Sequence, residues 1–274
     1  MDNFVVSQDA VKNFLNNPSM NDQTGITFAY ATDPAALSAM IPAPLKLVAP
    51  IVVGYVAKMG KPTFGPEYME QTLYAMVSYD GKMMGAYPFQ LLLSGAGAEA
   101  GLTAGRDGAG IPKKLADEIT LDRDGDQARA VVTRHGVKLL DLTWQAGSIN
   151  EPSFMEQFAG MMKPGEPNET MSFFLNYALD QTPDGANHFT DVELLGTQMT
   201  SVADAMEPGS IDLKLASSPD DPLASLPVLK PLGGAWYHFA TSTMHNTMHL
   251  AKVDAETAAP YLIAGRYDRA TYED

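Results

Sequence analysis

Two adjacent lysines are the most reactive side chains that the sequence groups together. Lys113 and Lys114 stand in the otherwise apolar segment Ile111-Pro112-Lys113-Lys114-Leu115. A free lysine has a pKa near 10.4, so only about 0.04% of it is the neutral amine at pH 7. If burial and a neighbouring cation lower such a pKa to about 7, roughly half becomes nucleophilic and can form an imine with a ketone. The alternative is a solvated pair of surface lysines, because Lys is rarely buried.

The glycine-rich stretch from Gly95 to Gly110 precedes these lysines and invites comparison with nucleotide-binding loops. Gly95, Gly97 and Gly101 give the spacing G-x-G-x-x-x-G, whereas a dinucleotide fold needs G-x-G-x-x-G and a P-loop needs Gly-Lys followed by Ser or Thr. The flanking strands also look antiparallel. We therefore predict a flexible loop entering a packed site, and no nucleotide cofactor.

Two histidines, His245 and His249, lie four residues apart, a spacing that would place both on one face of a helix. The surrounding segment is rich in Thr and predicts a strand, in which four residues span about 13 Å. That distance is too long for both rings to bind one ion. No metal site is predicted there, and the absence of a G-x-S-x-G elbow leaves a serine hydrolase without its anchor.

Charge and composition narrow the classes of partner. The 274 residues carry 18 Lys and Arg against 33 Asp and Glu, a formal net charge of −15, with 45% hydrophobic residues. Such a field opposes nucleic acid and anionic lipid, and an anionic substrate would need a local cluster of positive charge. The absence of Cys excludes disulfides and thiolate chemistry and favours a reducing compartment. With no secretory signal and no apolar run long enough to span a bilayer, we expect a cytoplasmic protein.

The predicted secondary structure is mostly strands. Alternating patterns at Thr72 to Tyr79 and Tyr87 to Ser94 flank the turn Asp80-Gly81, and those at Ala128 to Arg134 and Val137 to Trp144 flank the turn His135-Gly136. Other strands are predicted at Ile211 to Leu215 and Trp236 to Val253. Helices are predicted at Ser7 to Leu15, Pro34 to Met40 after the N-cap Asp33, and Ser153 to Met162. This balance predicts an α+β fold with a dominant antiparallel sheet, in a single domain over residues 1–274.

A longer string around the lysines resembles the Schiff-base motif of the acetoacetate decarboxylase superfamily. It runs through Gly105-Arg106-Asp107, four further residues, and Pro112-Lys113-Lys114-Leu115-Ala116. The resemblance covers about residues 25 to 253. Other blocks resemble that family's early and late segments in the same order: Tyr30, Thr32 and Asp33; Ala36-Leu37; Ile41-Pro42-Ala43-Pro44-Leu45; Leu213-Lys214-Leu215; Pro222-Leu223; Leu226-Pro227-Val228; and Gly234-Ala235-Trp236-Tyr237.

The resemblance implies roles for four of these residues. Lys113 is the imine-forming lysine, Lys114 the adjacent cation, Arg106 a residue that fixes the loop or balances charge, and Glu70 an active-site glutamate. Activation of the lysine by desolvation or a neighbouring cation is the mechanism known for acetoacetate decarboxylase itself and is inherited with the resemblance. The resemblance further implies a cone-like antiparallel β-barrel, a homo-oligomer, and neither organic cofactor nor metal.

Two positions depart from the decarboxylase pattern. Gln23 stands where the family has an active-site arginine, and Tyr55 stands where it has a second glutamate. Decarboxylation requires a carboxylate to be bound and released beside the imine, so these changes affect the step that defines the reaction. Superfamily members with altered pockets resemble pyruvate aldolase-dehydratases or hydratases that keep the lysine.

The predicted function is therefore a lysine-imine lyase that acts on a small oxo acid. Lys113 attacks the ketone, Glu70 transfers protons, and Tyr55 or Tyr237 assists near the pocket. The changes at Gln23 and Tyr55 favour aldolase-dehydratase or hydratase chemistry over decarboxylation of a 3-oxo acid. A non-catalytic barrel that binds a small molecule is the remaining alternative, against which the complete Pro-Lys-Lys block argues.

Overall fold

Strands make up most of the molecule. The computed structural model describes residues 4–161 and 163–272, and the side chains of residues 157–161 lie outside the description. The helices are α1 (Gln8–Phe14), α2 (Pro34–Ala39), α3 (Ala98–Ala109), α4 (Pro152–Met161) and α5 (Ala255–Arg266), with 3-10 turns at Leu223–Ser225 and Arg269–Thr271. The strands are β1 (Met20–Ala31), β2 (Lys46–Pro62), β3 (Tyr68–Tyr79), β4 (Met83–Ser94), β5 (Lys113–Leu115), β6 (Glu118–Asp124), β7 (Gln127–Arg134), β8 (Val137–Ala146), β9 (Pro167–Gln181), β10 (Asn187–Leu215) and β11 (Lys230–Lys252).

All eleven strands belong to one sheet. The order along it is β11-β1-β2-β3-β4-β9-β10-β8-β7-β6, with β5 beside β4 and a further pairing between β10 and β11. That pairing joins β1, β2, β3, β4, β9, β10 and β11 into a ring, from which β8, β7 and β6 continue outward. Most pairs are antiparallel, so the dominant antiparallel sheet is confirmed. The cone-like barrel shape stays a prediction, supported by the ring of pairings.

Short turns with left-handed backbone connect the predicted hairpins. His135 and Gly136 have φ values of 50° and 72° between β7 and β8, and Asp80 and Gly81 have 53° and 64° between β3 and β4. Two successive residues with positive φ produce the twist that suits a tight hairpin, and Gly and Asp tolerate this conformation. Both predicted hairpins are confirmed.

Three helices were predicted near their observed positions. The Ser7 hydroxyl accepts a hydrogen bond from the Ala10 amide at 3.2 Å at the start of α1, and the Asp33 carboxylate accepts one from the Ala36 amide at 2.8 Å at the start of α2. Helix α4 begins within a residue of its prediction, and Met162, the predicted end, lies outside the described residues. Helix α5, capped by Asp254, was not predicted.

Long bulged strands account for most of the missed structure. Strand β10 begins far upstream of the predicted Ile211, and its pairing with β11 changes register at several points, such as between Val202 and Ala203. A bulge shifts the alternation of inward and outward side chains by one residue. Strand β9 was not predicted at all. A simple period of two therefore fails along this part of the chain.

The main core packs one face of the ring against the β6–β8 extension and α5. Phe28, Leu92, Trp144 and Leu262 are among its fully buried members. A smaller cluster that includes Met59, Tyr68 and Tyr237 packs on the opposite side, next to the candidate site. None of the helices in the described ranges has both the length and the hydrophobicity needed to cross a bilayer.

We expect the replacement Asp33→Ala to lower the free energy of unfolding by about 1 kcal/mol, because it removes the N-cap of a helix that buries Leu37. Ser7→Ala is the matched control, since it removes the cap of α1, which buries no residue. Denaturant unfolding measures both. An equal loss of stability in the two variants would contradict this account.

Candidate active site

A short strand presents the two lysines to opposite sides of the sheet. Strand β5 pairs in parallel with β4, with Lys113 opposite Leu91 and Lys114 opposite Leu92. Successive side chains of a strand point to opposite faces. Lys113 therefore enters a cavity on one face, whereas Lys114 lies among charged residues on the other.

Lys113 forms a buried ion pair with Glu70. Its Nζ lies 3.1 Å from Glu70 Oε2, and the two side chains are only 5% and 2% exposed. Glu70 comes from β3, the strand beside β4 in the sheet. A buried charge is costly unless it is paired and hydrogen-bonded. The ammonium and the carboxylate thus stabilise one another in this site.

Three hydroxyl groups surround the carboxylate of Glu70. Tyr55 donates to Oε1 at 2.5 Å, Thr72 donates to Oε1 at 3.5 Å, and Tyr68 donates to Oε2 at 3.4 Å. The Nζ of Lys113 also lies 5.8 Å from the centre of the Tyr68 ring. Glu70 is consequently fixed in position by donors on both of its oxygens.

Burial keeps these tyrosines protonated. Burial, followed by the neighbouring Glu70 carboxylate, raises the pKa of Tyr55 and of Tyr68 well above the ordinary tyrosine value. Burial is also the largest cause of the raised pKa of Tyr237. A phenol that stays neutral can donate a hydrogen bond over the whole physiological range of pH.

Gln23 and Tyr237 form a second polar pair in the same cavity. Gln23 Nε2 donates to the Tyr237 hydroxyl at 2.5 Å, and both residues are buried. They come from the paired strands β1 and β11, in which Gln23 lies opposite Phe239 and Gly25 opposite Tyr237. Both the amide and the phenol are uncharged, so this pair adds no charge to the wall of the cavity.

The cavity that contains these groups is large and mostly apolar. Its volume is about 670 Å³, and Lys113 is the only Lys or Arg among the described residues that line it. Pockets of about 300–1,000 Å³ are typical for organic ligands of moderate size. Much of the wall consists of thioether and aromatic side chains: Met20, Met76, Met84, Met171, Met199, Met206, Met244, Phe64, Phe174 and Phe239.

The structure brings together five of the predicted site residues and sets two apart. Gln23, Tyr55, Glu70, Lys113 and Tyr237 all line the cavity.

Lys114 contacts Asp221 Oδ1 at 3.3 Å and the Asp220 carbonyl at 3.1 Å, and burial lowers its pKa, a shift that Asp221 opposes. Arg106 donates to the Lys113 carbonyl from Nε at 2.9 Å and from Nη2 at 2.6 Å. The predicted loop-fixing role of Arg106 thus has a contact that supports it, whereas the contacts of Lys114 are with Asp221 and Asp220.

The flexible loop predicted for Gly95 to Gly110 is wrong, because most of this stretch is helix α3. The helix ends at Gly110, whose φ of 65° is the left-handed conformation that favours glycine at a C-cap. Its glycines serve close packing. A Cβ added at Gly105 would lie 2.8 Å from both Cδ and Cε of Lys113, so the bare backbone leaves room for the reactive side chain.

Sequence analysis missed Tyr68, Thr72 and Arg266. Tyr68 and Thr72 lie two residues before and after Glu70 in one strand, so all three side chains point to the same face of the sheet. This spacing could have identified both residues from the position of Glu70. Arg266 donates to the carbonyls of Gly110 and of Leu175, the latter at 3.0 Å. It belongs to the unpredicted helix α5, and no local pattern links it to Lys113.

The histidines considered for metal binding lie on a strand, as predicted. His245 contacts Thr200 Oγ1 at 2.7 Å, and His249 contacts Glu193 Oε2 at 2.5 Å. A different group, His135, Asp220 and Asp268, has ligand atoms within 4.8 Å of one another. Arg134 already binds Asp268 in that group at 2.5 Å.

Several known proteins are similar to this chain in sequence. Residues 7–253 match the family model of acetoacetate decarboxylase. A protein of Lactiplantibacillus plantarum named CLA biosynthesis isomerase is 58% identical over 272 residues, covering 99% of this chain and 97% of that protein.

Two solved structures share the fold. The acetoacetate decarboxylase of Legionella pneumophila has a TM-score of 0.71 at 19% identity, with 92% of this chain and 99% of that chain covered. The enduracididine biosynthesis enzyme MppR, complexed with the condensation product of pyruvate and imidazole 4-carboxaldehyde, has a TM-score of 0.65 at 14% identity, covering 92% and 96%.

We expect Gly105→Ala to reduce the reactivity of Lys113 while the fold is retained, because the new methyl group displaces a flexible side chain and no backbone. Gly108→Ala in the same helix is the control, since an added Cβ there meets nothing within 4 Å and alanine favours helix. Borohydride trapping of a carbonyl adduct at Lys113 measures the effect. Equal trapping in the two variants would refute the close-packing role.

The buried tyrosines predict a loss of stability at high pH. Burial raises the pKa of Tyr74 and of Tyr87 to about 12. The pKa of these tyrosines in the folded state exceeds the unfolded value of 10.0. Their contribution to the free energy of unfolding is therefore complete below pH 10 and is lost as the pH rises to about 12. Unfolding at stepped pH, with phenolate absorbance as a second signal, checks this. Phenolate formation by these tyrosines near pH 10 in folded protein would contradict it.

Proposed function

We propose that this chain, which belongs to the acetoacetate decarboxylase family, is a lysine-imine enzyme that moves a proton along an extended, apolar ketone. The observation that carries the proposal is the buried Lys113–Glu70 pair, 3.1 Å apart, at the wall of an apolar cavity of about 670 Å³. Family membership supports imine chemistry of the lyase type at the level of the superfamily.

Imine formation needs an amine and a nearby proton carrier. Glu70 accepts a proton from the Lys113 ammonium, and the neutral Nζ attacks the ketone carbon to form a C–N bond. The former carbonyl oxygen takes up a proton from the attacking nitrogen, which gives a neutral carbinolamine. The hydroxyl group then leaves as water with the proton that Glu70 returns. The product is an iminium ion beside the Glu70 carboxylate, which stabilises the positive charge.

The iminium then makes the adjacent carbon acidic. Glu70 removes a proton from that carbon, and the electron pair moves into a neutral enamine. Hydrogen bonds from Tyr55, Tyr68 and Thr72 hold the carboxylate in one place during the transfer. The same fixed carboxylate thus carries the proton both in imine formation and in enamine formation.

The position at which the proton returns decides the reaction. In a β,γ-unsaturated ketone the C=C bond is joined directly to the α-carbon of the enamine. Protonation at the γ-carbon then gives a conjugated iminium ion, and hydrolysis of this ion releases the isomerised ketone. The 58% identical relative is named an isomerase, which supports this outcome. The other reactions predicted from the sequence also proceed through the imine. An aldolase-dehydratase adds a carbonyl compound and eliminates water, a hydratase adds water, and a decarboxylase releases CO2.

The charge of the cavity opposes a carboxylate next to the imine. In a 2-oxo or 3-oxo acid that group would lie close to Glu70, and among the described lining residues only Lys113 is a Lys or Arg. The Gln23–Tyr237 pair offers neutral donors where an arginine would supply charge. A ketone that is distant from any carboxylate therefore fits the site better than the small oxo acid predicted from the sequence.

We expect a long-chain β,γ-unsaturated ketone to be trapped on Lys113 by borohydride and, without borohydride, to be converted to the conjugated isomer. In D2O the product should carry deuterium on the carbon that becomes protonated. Lys113→Met should abolish both results, and Glu70→Gln should slow isomerisation by about a hundredfold to ten-thousandfold. Lys138→Met, which alters an exposed lysine, is the matched control.

Pyruvate and acetoacetate tested in parallel separate the alternatives. Rapid CO2 release from acetoacetate without isomerisation would identify a decarboxylase, and an aldol or hydration product from pyruvate would identify an aldolase-dehydratase or hydratase. The absence of an adduct with every ketone would favour the non-catalytic binding protein. Peptide mapping of the reduced adduct assigns the lysine in each case.

A further inference from the structure

The C-terminal segment reaches the reactive lysine from outside the region that matches the family model. The matched region ends at residue 253, and α5 with the turn after it occupies residues 255–271. Gly265 in α5 lies against Pro112, so closely that an added Cβ would be 2.7 Å from Pro112 Cβ. Pro112 directly precedes Lys113.

Arg266, at the end of α5, ties three elements together. Its guanidinium donates to the carbonyl of Gly110 at the end of α3, to that of Leu175 in β9 at 3.0 Å, and to that of Leu262 at 3.5 Å. The side chain is buried, and its guanidinium lies 5.1 Å from the centre of the Tyr177 ring. No carboxylate within the described residues forms an ion pair with it. Carbonyl oxygens and an aromatic face are therefore its partners.

Arg106 completes the connection to Lys113. Its forked donors bind the Lys113 carbonyl at 2.9 and 2.6 Å, and one of them also contacts the Arg266 carbonyl. One planar group thus joins the backbone of the reactive lysine to that of the C-terminal helix. A lysine in its place could not reproduce this geometry, because an ammonium lacks the rigid fork.

A second contact from the same segment holds the next residue of β5. Asp268 binds Arg134 at 2.5 Å, Arg134 binds Asp221 at 2.6 Å, and Asp221 binds Lys114 at 3.3 Å. Strand β5 has only three residues, so its own pairing with β4 offers few contacts to hold the Lys113 side chain in place. Both lysines of β5 are instead connected to the C-terminal segment, Lys113 through its carbonyl and Lys114 through Asp221.

We propose that the segment 254–272 is a positioning device for Lys113, with Arg266 and Arg106 as its positioning residues. The inference rests on the proposed imine function of Lys113. A displacement of about 1 Å in a catalytic group can reduce a rate about a hundredfold. Loss of the hydrogen bonds from Arg266 to the Gly110 carbonyl and from Arg106 to the Lys113 carbonyl should therefore slow the attack of the amine. Neither change would close the cavity or make its wall more polar.

The test compares Arg266→Met with wild type in the full chain. A long-chain ketone is the probe, and the rate constant and half-saturating concentration for adduct formation at Lys113 are measured separately. We expect the rate constant to fall about ten- to a hundredfold, with little change in the half-saturating concentration. Hydrogen exchange of the backbone amides of residues 110–115 other than Pro112 should accelerate, while exchange in β7 and β8 stays unchanged.

Two controls and a second variant make the result decisive. Arg129→Met removes an exposed guanidinium paired with Asp141, and Asp33→Ala lowers global stability; neither should change adduct formation. Arg106→Lys alters a half-buried residue and keeps its charge, so it serves if Arg266→Met does not fold, and it should reproduce both effects.

Unchanged exchange and unchanged trapping in a folded Arg266 or Arg106 variant would overturn the positioning role. A fall in rate of the same size in Asp33→Ala would also overturn it, because lost stability alone would then explain the effect. If wild-type protein forms no adduct, the proposed function fails, and exchange at residues 110–115 still decides whether the segment holds this strand.

Discussion

The site depends on a single buried ion pair between Lys113 and Glu70. A lone ammonium or a lone carboxylate in this apolar cavity would be strongly destabilised, so each requires the other. The same pairing supplies an amine and a proton acceptor at hydrogen-bonding distance. Removal of water from the surroundings strengthens their interaction, and the Glu70 carboxylate would provide the counter-charge for the iminium ion that we propose.

The sheet makes this pairing possible by bringing distant segments to one wall. Glu70 and its hydroxyl donors come from adjacent strands β2 and β3, and Lys113 comes from a short parallel strand at β4. Helix α3 covers the lysine stem with a glycine. The geometry of the chemical groups thus follows from strand register on one side and from close helix packing on the other.

Local patterns predicted some of this and could not predict the rest. Hairpins with Asp-Gly and His-Gly turns and helices with Ser or Asp caps were found because their signals lie within a few residues. The glycine-rich helix α3 was taken for a loop because glycine disfavours helix on its own, and tertiary packing around Lys113 outweighs that preference. The bulges of β10 broke the alternation on which strand prediction depends.

The site was predicted from a sequence motif, and a motif does not report side-chain orientation or contacts between distant residues. The structure places five residues named from the resemblance around one cavity: Lys113, Glu70, Tyr55, Gln23 and Tyr237. The opposite orientation of Lys114 follows from strand alternation, but only after β5 is known to be a strand. Arg266 depends on a contact between residues 156 positions apart, and nothing local in the sequence reports it.

Among the described residues, seven methionines line the cavity, and each has a thioether that can be oxidised. Oxidation of a thioether to the sulfoxide turns a flexible apolar surface into a polar one, while amines and carboxylates are left unaltered. An oxidant would therefore change the lining that an apolar ketone meets before it touches the ion pair. Methionine gives this wall its adaptability to irregular ligands, and it makes sulfoxide reduction part of keeping the cavity apolar.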